Sequence, residues 1–122
     1  MKKVDKTILI VEDDDVARCV LGLIFNKHFE KVITAVNGEE GLALYKDLKP
    51  DLVLLDLAMP VIDGFGMIKY LRENNPEQAL IILTAFREEA EGIVDYTVLY
   101  KPVGRATLLS AVSVALSVDI MD

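Results

Sequence analysis

Four stretches of this chain set a chemically capable side chain directly after an apolar run. Glu12-Asp13 follow Ile8-Leu9-Ile10-Val11, Asp56 follows Leu52-Val53-Leu54-Leu55, Thr84 follows Leu80-Ile81-Ile82-Leu83, and Lys101 follows Tyr96-Thr97-Val98-Leu99-Tyr100. If the fold gathers them, the carboxylates of Glu12, Asp13 and Asp56 repel one another and need a cation. A hard divalent ion with oxygen ligands, Mg²⁺ above all, is the natural candidate. Lys101 adds one fixed positive charge. Each residue taken alone has an ordinary reading: an acid at a strand end as a cap or solvated loop residue, a β-branched threonine ending a strand, a solvated lysine. The joint pattern carries more, because all four positions fall at strand ends on one rim.

The elements that must position them are legible in the spacing. Short, nearly continuous apolar runs at 8–11, 52–55 and 80–83 describe strands covered on both faces, and the less apolar 32–36 and 96–100 describe strands at or near the sheet edges. Between them lie helical periods. Val16, Val20, Leu23, Ile24 and Phe25 recur at threes and fours behind a cap at Asp14 or Asp15. Asn37 with Glu40 resembles a capping box opening a helix with Leu42, Leu44 and Tyr45, and Pro50 stops the chain before the third strand. Asp63-Gly64 precede a helix on which Phe65, Ile68 and Leu71 share a face, ended by Asn74-Asn75-Pro76. Residues 87–93 make a short helix at best, and 105–116 a clear one. Five alternations of strand and helix require an α/β fold, a doubly wound parallel sheet with right-handed crossovers and helices on both faces in a three-layer sandwich. Ligands in such sheets bind beyond the carboxyl ends of the strands.

Composition narrows the function. The 122 residues fit one domain spanning 1–122, and 13 basic against 20 acidic side chains give a net charge of −7, which disfavours a direct nucleic-acid binder. A hydrophobic fraction of 52% supports a core. The single cysteine, Cys19, cannot close an intramolecular disulfide, and the start of the chain lacks a secretory h-region, so a cytoplasmic location is expected. The uncharged stretch 106–118 falls short of the roughly 18 apolar residues that suggest a membrane span, so no membrane insertion is expected.

Four strings together, Ile8-Leu9-Ile10-Val11-Glu12-Asp13-Asp14, then 54–64 running Leu54-Leu55-Asp56-Leu57-Ala58-Met59-Pro60-Val61-Ile62-Asp63-Gly64, then Ile82-Leu83-Thr84-Ala85, then Lys101-Pro102, resemble the receiver domain of two-component response regulators. The resemblance runs from Lys6 to about Leu116. It implies a flavodoxin-like (βα)5 sheet in the order 2-1-3-4-5, and a protein that is no conventional enzyme but catalyses its own phosphoryl transfer. It further implies that Asp56 accepts a phosphoryl group from a phosphohistidine of a sensor histidine kinase or phosphotransfer protein. Asp13 and Asp56 would ligate Mg²⁺ with the backbone carbonyl of Ala58, Glu12 would assist, Lys101 would pair with a phosphoryl oxygen, and Thr84 would supply the switch hydroxyl. Lys101-Pro102 would be a cis peptide.

The chain also departs from that pattern. Thr84 and Lys101 are 17 positions apart, several fewer than in typical receivers, so the fourth helix must be short or irregular. Val98 stands where the family commonly has a switch aromatic, with Tyr100 two residues on along the same strand face. Ala58 and Phe86 occupy positions that tune phosphoryl lifetime in the family and offer no group to align water, so slow self-dephosphorylation is expected. The last helix has no charge between Arg105 and Asp119; Leu108, Leu109, Val112 and Leu116 form its core stripe. Ala111, Val114 and Val118 form a second stripe, read as a partner or homodimer surface next to the fifth strand. His28 is read as a half-exposed structural histidine, Cys19 as a small hydrophobe packed on the first helix, and 88–91 as a solvated face. Two alternatives stay open beside the receiver: a pseudo-receiver serving as a phosphorylation-independent scaffold, and a phosphohydrolase with an aspartyl nucleophile, for which no separate acid/base or substrate cap is visible.

Overall fold

A computed structural model of the chain describes residues 2–57 and 64–120. Strands β1 (Val4–Val11), β2 (Phe29–Ala35), β3 (Leu52–Asp56), β4 (Ala79–Thr84) and β5 (Thr97–Tyr100) alternate with helices α1 (Asp15–Asn26), α2 (Gly38–Leu48), α3 (Gly64–Asn74), α4 (Arg87–Ala90) and α5 (Arg105–Leu116). The strands form one parallel sheet in the order β2-β1-β3-β4-β5. The doubly wound α/β architecture expected from the alternation is therefore present, with four longer helices and a one-turn α4.

Strand residues divide between two core layers by parity. Leu9, Val11, Val53, Leu55, Leu80 and Ile82 pack with Tyr45 of α2, Met67, Ile68 and Leu71 of α3, and Ala90 of α4. Ile8, Ile10, Leu52, Leu54, Ile81 and Leu83 pack with Phe25 of α1 and with Leu108, Leu109 and Val112 of α5. Because side chains alternate across a strand, a run apolar at every position can only be buried on both faces, and β3 is buried at all five of its residues.

Local signals start and stop the helices. Asp14, rather than Asp15, caps α1 by accepting the Ala17 N–H at 2.8 Å. Asn37 caps α2 by accepting the Glu40 N–H at 2.8 Å, and Glu40 Oε1 answers by accepting the Val36 N–H at 3.1 Å. Lys49 takes a left-handed φ of 47° before Pro50. Gly64 opens α3 in close contact with β3: a Cβ there would lie 2.7 Å from Leu57 Cα and 2.9 Å from the Asp56 carbonyl oxygen.

Several expectations need correction. The apolar period of α1 points outward for most of its length: Val16, Val20 and Leu23 are 72%, 50% and 63% exposed, whereas Phe25 is buried and Leu21 and Ile24 are partly buried against the core. Two apolar stripes run along this helix, and periodicity alone does not say which faces the sheet. Cys19 lies on the outer side and is exposed. His28 is buried rather than half-exposed, because the chain turns directly from α1 into β2 and the His28 carbonyl accepts the Val4 N–H at 2.7 Å. On α3, Met67 takes the buried place beside Ile68 and Leu71, and Phe65 is partly solvated. Of the second apolar stripe on α5, Val114 stands exposed, whereas Ala111 and Val118 are half-buried. Ala111 packs against the core from within the helix, and Val118 does so because Ser117 adopts a φ of 53° and turns the chain back, where the Val118 N–H donates to the Ser113 carbonyl at 3.1 Å.

The segment before β5 follows the one-turn α4. Arg72 of α3 makes a two-pronged ion pair with Asp95, at 2.7 and 2.6 Å, and its guanidinium also lies over the Tyr96 ring. This contact ties α3 to the residues that enter β5.

Candidate functional site

Parallel pairing sets the strand ends level. Val11 pairs with Leu55, Asp56 with Leu83, and Thr84 with Tyr100, so the residues closing four strands meet at one rim. There Lys101 Nζ lies 3.1 Å from Glu12 Oε1 and 3.3 Å from Asp56 Oδ2. It joins side chains 89 and 45 positions away in the chain. Glu12 and Asp56 are buried, and the ammonium provides the charge that two sequestered carboxylates need. Burial draws the Lys101 pKa down, but the hydrogen bond to Glu12, the charges of Asp56 and Glu12 and the hydrogen bond to Asp56 outweigh it, and the net position is above the ordinary lysine value.

Carboxylate oxygens of Glu12, Asp13 and Asp56 all lie within 4.8 Å of one another. An all-oxygen, anionic donor set at this spacing fits a small hard cation such as Mg²⁺. Glu12 is already engaged on both oxygens, Oε1 by Lys101 and Oε2 by the Asp14 N–H at 3.2 Å, which suits an assisting role. Asp13 lies more open to solvent. Its pKa is raised by burial first, then by its hydrogen bond with Glu12 and the Glu12 charge. A carboxylate pushed toward its protonated form by a neighbouring acid is one that a cation would hold ionised.

Thr84 is fully buried, and its Oγ1 accepts the Phe86 N–H at 3.0 Å. Its carbonyl accepts the Lys101 N–H at 2.8 Å, tying β4 to the turn that presents the lysine. The Lys101-Pro102 peptide is cis, as the resemblance implied. Ala58, expected to offer its carbonyl, lies outside the described residues. Val98 and Tyr100 pack side by side against the same core layer, and the Arg87 guanidinium sits 4.2 Å from the Tyr100 ring centroid. The arrangement thus brings Glu12, Asp13, Asp56 and Lys101 into contact and sets Thr84 at the same rim.

Sequence reasoning missed Arg18. Its Nη1 donates to the carbonyl oxygens of Glu12 at 3.0 Å and Asp13 at 3.3 Å, and its Nη2 pairs with Asp15. A basic residue one helical turn past an acidic loop was the available signal, but a surface lysine or arginine on α1 reads the same way.

Open parallel sheet, helices on both faces, and an acidic cluster with one lysine beyond the strand ends define a receiver-type α/β domain. The response regulator receiver domain family matches residues 8–113, and the chain belongs to it. It is 35% identical over 119 residues to Protein PilH of Pseudomonas aeruginosa, covering 90% of this chain and 97% of that protein. It is 36% identical over 88 residues to the transcriptional regulatory protein AfsQ1 of Streptomyces coelicolor, covering 72% of this chain but spanning only 39% of that protein. The receiver domain of Francisella response regulator 1452 superimposes with a TM-score of 0.83 at 25% identity, covering 93% of this chain and 98% of that one. Receiver domains are signalling modules of two-component systems that bind Mg²⁺ at an acidic pocket and work with sensor kinases and output domains. Among the described residues no helix is long and apolar enough to cross a membrane.

Proposed function

We propose that this chain is a phosphorylation-controlled receiver in which Asp56 takes a phosphoryl group from a phosphohistidine of a sensor kinase or phosphotransfer protein. An Asp56 carboxylate oxygen forms the new O–P bond, the N–P bond of the donor breaks, and the departing imidazole recovers its electron pair and takes a proton from water. Such transfer passes through a loose transition state and requires mainly positioning and charge neutralisation. Asp13, Asp56 and the Ala58 carbonyl would hold Mg²⁺ with Glu12 assisting. When bound, the ion neutralises phosphoryl oxygens. Lys101 holds the Asp56 carboxylate in place before transfer and pairs with a phosphoryl oxygen after it. Thr84 turns its hydroxyl to the phosphoryl group, releasing the Phe86 N–H. Phe86, 49% exposed, brings no group to orient an attacking water, so the phosphorylated state is long-lived.

The observation that carries this reading is the position of Lys101 Nζ, within hydrogen-bond reach of both Glu12 and Asp56 beside a third carboxylate. The one-turn α4 and Val98 favour the second reading, a scaffold that does not depend on phosphorylation. For output, the groove between β5 and α5 lined by Leu99, Thr107, Ala111 and Val114 is the partner or homodimer surface in either case. Acetyl phosphate with Mg²⁺ tests both readings: the receiver gains the mass of one HPO₃, and Asp56→Asn gains none. Absence of an adduct on the parent supports the scaffold, and turnover of acetyl phosphate without an adduct supports a hydrolase.

A further inference from the structure

The carbonyls of the loop that carries Glu12 and Asp13 are all held by one residue. At its start the Glu12 N–H donates to the Ala35 carbonyl at 3.1 Å, and at its end Asp14 caps α1. Between these points the loop's carbonyls all bond one residue. Arg18 Nη1 donates to the Glu12 and Asp13 oxygens, and the Arg18 backbone N–H donates to the Asp14 oxygen at 2.9 Å. The Arg18 side chain is 18% exposed and its guanidinium is steadied from outside by Asp15, whose side chain is 89% exposed, so the Asp15 pair in water contributes little by itself. Rotation of either peptide between residues 12 and 14 would break a bond to Arg18 and swing a proposed metal-ligating carboxylate off the cluster.

We infer that Arg18 is a positioning residue for the cation site: its Nη1, shared between two carbonyls, fixes the peptides of Glu12 and Asp13 so that both carboxylates face Asp56, while its Nη2 is anchored on Asp15. This inference rests on the proposed reading of the acidic cluster as a Mg²⁺ site. Two effects of Arg18 on Mg²⁺ have opposite sign, which makes the role measurable. As a nearby positive charge, Arg18 repels the ion, and its removal would tighten binding. As the clasp on the ligand loop, its removal loosens binding, and loss of a residue that orients metal ligands typically weakens affinity about 10- to 100-fold.

Calorimetric titration of the whole chain with MgCl₂ alone decides between them. Arg18→Met is expected to bind Mg²⁺ about tenfold more weakly than the parent, with circular dichroism reporting that it is folded. Arg18→Lys keeps the charge, but its shorter side chain and single nitrogen cannot span both loop carbonyls and Asp15, and it too should bind more weakly. Should Arg18→Met fail to fold, Arg18→Lys carries the comparison alone. Either folded variant binding within about twofold of the parent, or more tightly, overturns the positioning role. Failure of the parent to bind Mg²⁺ overturns the metal site and the positioning role together, whereas normal binding by parent and variants overturns the positioning role only.

Discussion

Arg87 covers the ring of Tyr100, its guanidinium carbon 4.2 Å from the ring centroid. Tyr100 pairs in register with Thr84, and Arg87 follows Phe86, whose N–H holds the Thr84 hydroxyl. The stack therefore ties the first residue of the one-turn α4 to the end of β5, beside the proposed switch. At a solvent-accessible site such a contact is worth about 0.5–1 kcal/mol. A double-mutant cycle on Arg87→Ala and Tyr100→Leu, followed by urea unfolding, should return a coupling energy of that size. Strict additivity would mean that the two side chains do not stabilise each other.

Thr84 has a second measurable consequence. Thr84→Val keeps the shape but removes the acceptor of the Phe86 N–H, a partly buried hydrogen bond whose loss costs about 0.5–1.5 kcal/mol. The variant should unfold at lower urea while still binding Mg²⁺ like the parent, because Thr84 supplies no ligand to the cation cluster. Weakened Mg²⁺ binding would show that the hydroxyl supports the acidic loop as well.

Asp13 should show a stability that depends on both pH and metal. Its folded pKa is raised by burial and by Glu12, so the ionised form is held at a cost. An acid raised in this way leaves folding unaffected well below its unfolded value near 4, and it destabilises the protein as pH climbs through the folded pKa. Metal-free Asp13→Asn should therefore melt higher than the parent at neutral pH, with the difference vanishing near pH 3. Saturating Mg²⁺ should reverse the order at neutral pH, since only the parent keeps the anionic carboxylate proposed as a ligand. A variant that melts below the parent without metal would refute the account of repulsion in this cluster.

Gly64 is required by contact rather than by turn geometry. The atoms a Cβ would strike, Leu57 Cα and the Asp56 carbonyl oxygen, are backbone and cannot swing aside. Gly64→Ala should destabilise by about 1–3 kcal/mol, the usual cost of overpacking. It should also slow adduct formation on Asp56, because the strand end that carries this carboxylate must shift. Unchanged stability would show that α3 can slide away from β3 freely.

The apolar runs 8–11, 52–55 and 80–83 determined three central strands by themselves, because a segment apolar at every position can only lie between two helical layers. Strict alternation with helices then placed Glu12, Asp13, Asp56, Thr84 and Lys101 at one rim, since parallel strands share their ends. The short spacing from Thr84 to Lys101 determined that α4 would be reduced. What only the tertiary structure decided were the choices among equivalent local patterns. Val16, Val20 and Leu23 make as good an inward stripe as Leu21, Ile24 and Phe25, and the crossover into β2 selects the latter. Ala111, Val114 and Val118 share a face of an ideal helix, but the left-handed turn at Ser117 folds Val118 onto the core. Arg18 was invisible as a clasp because its partners are backbone carbonyls, which every residue possesses. A side chain that bonds side chains leaves a trace in composition, and one that bonds the main chain is found only when the chain has folded around it.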